Sequence, residues 1–184
     1  MNDEHRLPPG VPAGGPDVGD DPAAAEARGL ALLEQAGAAI VDGVEREAAD
    51  WVVRAVTRIV DAWGRLDEHA RHRALDDAQR VATRACDRVV DELRTLFAAD
   101  PSDQGATPLE IARGLRREPT ELLLALGIPA VERDPFAERA FPDDAYGLAF
   151  ETLGDLGDPD LAPMLLAWGV GKATVLRARA ARAE

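Results

Sequence analysis

Residues 44–75 read VEREAADWVVRAVTRIVDAWGRLDEHARHRAL, and this stretch decides the fold. Val44, Ala48, Trp51, Val52, Ala55, Val56, Ile59, Val60 and Trp63 recur every three or four residues, which is one face of an amphipathic helix. Gly64-Arg65-Leu66-Asp67 then interrupts the pattern, because glycine ends a helix readily and aspartate caps the next. Upstream the stripe extends through Ile40, Leu33 and Leu30, across Gly37 and Gly43, where a bend is expected. Downstream a second stripe runs through Ala74, Ala78, Val81, Ala85, Cys86, Val89, Val90, Leu93, Leu96 and Phe97. Two long helices joined by so short a turn lie antiparallel. The predicted fold is all-α: a long antiparallel helical hairpin, a cluster of shorter helices and an ordered acidic loop.

Proline positions divide the rest of the chain. An acid or threonine followed by proline marks a helix start, since proline's missing N–H would be unpaired in the first turn anyway and the cap oxygen accepts from a free amide. The device occurs at Asp21-Pro22, Asp100-Pro101, Thr107-Pro108, Glu118-Pro119 and Asp158-Pro159, with Thr107 and Glu110 spaced as a capping box. The expected organisation is a disordered tail over 1–20, the hairpin over 21–99, and a C-terminal helical lobe over 100–184 packed on it. The tail has many Pro and Gly and little apolar surface to offset ordering entropy. Residues 128–156 read as an irregular, acid-rich stretch, which Phe136, Phe141, Tyr146 and Phe150 are expected to pin to the core.

Composition excludes several function classes. The formal net charge of -13 argues against nucleic acid as a partner and favours another protein, including one with a basic surface. One cysteine, Cys86, cannot form an internal disulfide and lies on an apolar stripe, where a buried, unreactive thiol is expected. The chain has no signal-like start and no apolar run long enough to span a bilayer, so the expected setting is the cytoplasm, without membrane contact. Lys172 is the only lysine among many arginines, a pattern that follows codon composition in a GC-rich genome and weakens functional readings of single arginines.

The reactive inventory is sparse. Ser102 is the only serine and sits in a capped turn, so a nucleophilic triad is hard to assemble. His69 and His72 are spaced for one helix face but lack further ligands, and the acids do not follow a calcium-loop spacing. Neither metal nor cofactor is expected. Gly169-Val170-Gly171-Lys172-Ala173-Thr174 fails as a phosphate loop, because Leu166 and Ala173 stand where glycine and a hydroxyl are required. Those glycines instead suit close approach of another helix, and Trp168 and Lys172, four apart, can stack ammonium on indole. Asp143-Asp144 lies between Phe141 and Tyr146 and faces candidate partners in Arg113 and Arg133.

The runs Thr107-Pro108-Leu109-Glu110-Ile111, Glu118-Pro119-Thr120-Glu121, Phe141-Pro142-Asp143-Asp144-Ala145-Tyr146 and Ala167-Trp168-Gly169 with Lys172-Ala173 resemble a family of actinobacterial helical proteins with no assigned activity. The resemblance covers 107–179, implies a helical cytoplasmic protein and supplies no catalytic residue. The reading that follows is a non-enzymatic helical module that binds another protein through its C-terminal lobe, with homodimerisation through the hairpin as an option. The alternative is an enzyme or small-ligand binder with a carboxylate, arginine and lysine site. Its candidate binding residues are Arg113, Arg133, Asp143, Asp144, Tyr146, Trp168 and Lys172.

Overall fold

The computed structural model describes residues 21–184, so the expected disordered tail over 1–20 lies outside the described residues. The chain is all-α: α1 (Pro22–Trp63), α2 (Glu68–Ala98), α3 (Pro108–Ala112), α4 (Arg117–Ala125), α5 (Pro135–Ala140) and α6 (Leu161–Ala183), with 3-10 turns at Arg113–Arg116 and Leu153–Leu156. Asp21 opens α1 by accepting from the Ala23 amide at 3.1 Å. Gly64 closes it with φ 60, a left-handed position that costs other residues strain. Asp67 then accepts from the Ala70 amide at 2.7 Å and starts α2. The hairpin turn therefore forms from local chemistry.

The facing stripes of α1 and α2 form the seam of the core, with Val44, Val52, Val56, Ala78, Val89 and Leu93 fully buried. Burying a Val or Leu side chain contributes about 1.5–3 kcal/mol, so this seam carries much of the stability. Gly37 and Gly43 do not interrupt α1, which runs unbroken across both. They receive side chains instead: the Phe97 ring lies 3.1 Å from where a Cβ at Gly37 would stand, and one at Gly43 would overlap Leu161. The expected bend is thus replaced by close packing.

α6 returns antiparallel along α1, with Leu161 against Gly43 and Gly171 against Gly29. The two backbones meet where Gly29 faces Gly171; a Cβ on either would stand 3.0 Å from the other's carbonyl oxygen. α3, α4 and the intervening 3-10 turn pack on α2. One hydrophobic cluster includes residues of the hairpin, of the 107–128 helices, of the 146–156 loop and of α6.

Three proline devices behave differently from the prediction. Asp100-Pro101 and Asp158-Pro159 make turns, and α6 starts at Leu161 behind Asp160. Glu118-Pro119 falls inside the first turn of α4, because the 3-10 turn runs directly into that helix. Glu118 instead holds Arg88 of α2 with bonds of 2.8 and 3.0 Å. Conversely, the stretch over 128–156 is not wholly irregular: Asp134-Pro135 starts α5, with the Asp134 carboxylate 2.7 Å from the Phe136 amide.

Candidate functional site

The loop between α4 and α6 is held by side chains that reach back to the main chain. Asp144, only 2% exposed, accepts from the amides of Leu148 at 2.8 Å and Ala149 at 2.7 Å. Arg133 approaches the same carboxylate at 4.0 Å and donates to the Phe141 carbonyl at 2.9 Å. The Tyr146 hydroxyl donates to the Ile128 carbonyl at 2.6 Å, and burial raises its pKa. Arg113 donates to the Phe150 carbonyl at 3.1 Å while its guanidinium lies 5.2 Å from the centre of the Phe141 ring. Phe150 in turn meets Trp51 of α1 edge-on at 5.2 Å.

Four of the predicted residues, Arg113, Arg133, Asp144 and Tyr146, therefore gather around one loop. Arg133, Asp144 and Tyr146 line a groove of ≈880 Å³ against Trp51, Arg54 and Arg58 of α1. Asp143 turns outward and shares a separate shallow cleft with Arg113, Arg116 and Arg117. Adjacent aspartates thus have different surroundings, because Asp143 sits at the tip of a turn that the Asp144 amide closes on the Phe141 carbonyl at 3.1 Å. Phe136 does not anchor the loop: it is 66% exposed on the outer side of α5, while Tyr146 and Phe150 carry that role. The buried polar groups here are spent on backbone hydrogen bonds, which is the chemistry of a latch.

Trp168 and Lys172 stand elsewhere, on the inner face of α6. The Lys172 ammonium donates to the Gln104 carbonyl at 2.6 Å and lies 5.2 Å from the centre of the Trp168 ring. Trp168 lines a cavity with Gly37 and Phe97, whereas the loop groove reaches α1 at Trp51. Gly37 and Trp51 are about 20 Å apart along the helix. The sequence placed the indole and ammonium together correctly but did not signal Gln104, whose part depends on a turn folding back under α2.

A third surface was missed altogether. The outer face of α6 exposes Leu166 (71%), Val170 (51%) and Leu176 (37%) around Gly169 and Ala173, and a cleft of ≈630 Å³ runs along it to Arg177. Its signal was present in the string Leu165-Leu166-Ala167-Trp168-Gly169-Val170, apolar on every side, which one covered face of a helix does not require. Among the described residues, no three His, Cys, Asp or Glu side chains converge in a group able to hold a metal ion, and His69 and His72 are exposed. Compared with protein-family models, curated proteins and solved structures, the chain matches none. Function is therefore read from the residues alone.

Proposed function

We propose that this chain is a non-enzymatic helical interaction module whose docking face is the outer stripe of α6. The observation that carries the reading is the pair Leu166 and Val170, four apart along one cleft, large apolar side chains exposed on a helix that already buries its other face against α1. Scattered apolar residues are ordinary on a protein surface, but this pair shares one cleft with the small residues Ala162, Gly169 and Ala173, which leaves room for a partner helix. The acid-rich loop supports the reading in a different way, by spending Asp144 and Arg133 on its own main chain. The same proposal sets the module in the cytoplasm, supported by a lone buried cysteine.

A second copy of the chain is favoured as the occupant by the register of the stripe. About a two-fold axis between Gly169 and Val170, antiparallel α6 helices oppose Leu166 to Ala173 and Val170 to Gly169, so both large side chains of the cleft meet a small one. The same register brings Arg177 to Ala162, beside the acidic turn that carries Asp158 and Asp160. Self-pairing through α6 replaces the hairpin as the homodimer surface.

A photo-reactive phenylalanine analogue at position 170 tests both readings in the native host. The expected result is a cross-linked adduct that contains a second copy, lost when Leu166→Glu is added. An adduct with a different protein retains the docking face and overturns self-pairing. Absence of any protein adduct, in a variant that melts like the parent, overturns the module reading.

A further inference from the structure

Among the described residues, two buried side-chain polar atoms lack a protein partner: the Gln104 oxygen Oε1 and the Trp168 indole nitrogen Nε1. One is an acceptor and the other a donor, and both residues line the same cavity of ≈340 Å³. Unpaired buried polar atoms are rare because each forgoes the hydrogen bond it had in water, so two on one cavity call for a cause. The orientation of Gln104 is set: its Nε2 donates to the Leu96 carbonyl at 3.1 Å and the Ala99 carbonyl at 3.3 Å. Oε1 is consequently turned away from both carbonyls. Both side chains are rigidly held, Gln104 at 8% and Trp168 at 5% exposure, with Lys172 fixed across the indole and on the Gln104 main chain.

The remaining walls are apolar, chiefly Leu30, Leu33, Phe97 and Pro101, with Glu34 exposed at the mouth. Leu30 is 41% exposed although it belongs to the apolar stripe of α1, and the cavity is what it faces. Apolar walls with a few fixed polar atoms are the composition of a small-molecule site. We propose that this cavity, between the N-terminal half of α1, the end of α2 and α6, binds an uncharged, largely apolar molecule carrying one hydroxyl group. A single hydroxyl group both accepts from Nε1–H and donates to Oε1, satisfying the two atoms at once. A carboxylate has no proton to donate to the Gln104 oxygen and would meet Glu34 at the mouth with like charge, and a hydrocarbon would leave both orphan atoms unpaired. The site lies on the inner face of α6 and does not depend on the docking face outside it.

The full chain, titrated with 4-propylphenol and with propylbenzene as its hydroxyl-free match, tests the assignment by calorimetry and by the indole N–H resonance of Trp168. That resonance is assigned by its loss in Trp168→Phe. The expected result is binding of the phenol about tenfold tighter than the hydrocarbon, with a shift of the Trp168 resonance. Trp168→Phe and Gln104→Met should each bring the two affinities towards equality while leaving hydrocarbon binding in place, which shows the variants are folded. Equal affinities for the two probes in the parent protein overturn the proposal. So does absence of binding by both, which would leave the cavity to water alone.

Discussion

At the scale of single residues, the two adjacent aspartates separate structure from surface. Asp144 is buried on two amides and Arg133, whereas Asp143 lies outside among the arginines of the 3-10 turn. Asp144→Ala should destabilise by about 2–4 kcal/mol, the cost of stripping charge-assisted bonds from buried donors. Asp143→Ala should leave the denaturant midpoint unchanged. Urea melts of the two single variants check this, and equal effects would contradict the latch. The Asp-Asp pair was legible in the sequence as a feature, but which carboxylate turns inward depends on amides four and five residues further on.

At the scale of elements, glycines decide where helices touch. Gly43 sits against Leu161 and Gly171 against Gly29, so a methyl group at either position meets packed atoms. Gly43→Ala should destabilise by about 1–3 kcal/mol through overpacking, more than the gain in helix propensity returns. Gly169 is the contrast, since a methyl group there would meet nothing within 4 Å. Gly169→Ala should raise the stability of the monomer by about 0.5–1 kcal/mol, the helix preference of alanine over glycine. Thermal melts at a concentration low enough to keep the chain monomeric compare the two. The sequence foresaw a close helix approach near Gly169 and Gly171, and packing assigned it to Gly171 alone, since only that side of α6 faces α1.

At the scale of the whole molecule, a few ion pairs tie distant segments, and they set its acid sensitivity. Burial works against the Glu118 charge, yet the hydrogen bonds from Arg88, the bond from its own backbone amide and the charges of Arg88 and Arg117 together outweigh it and hold the carboxyl below its usual range. A carboxyl depressed in the folded state contributes stability that is complete above its unfolded pKa, about 4.3, and is lost as the pH falls through the folded value. The deficit of Glu118→Gln relative to the parent should therefore be constant at neutral pH and shrink below about pH 4; a deficit independent of pH would assign it to shape alone. Glu26, paired with Arg179 and Arg182, similarly joins the start of α1 to the end of α6, and Arg179 reaches Asp100 at 2.7 Å. The sequence by itself determined the helices of the hairpin, their turn, the capping box of α3 and the burial of Cys86, because periodicity and caps act within a few residues of each other. Only the tertiary structure decided that Asp100 and Asp158 make turns, that α6 has a bare outer face, and that Gln104 and Trp168 share a cavity. Those outcomes depend on which surfaces meet across more than sixty positions, such as 104 and 168, and no local pattern encodes a surface's partner.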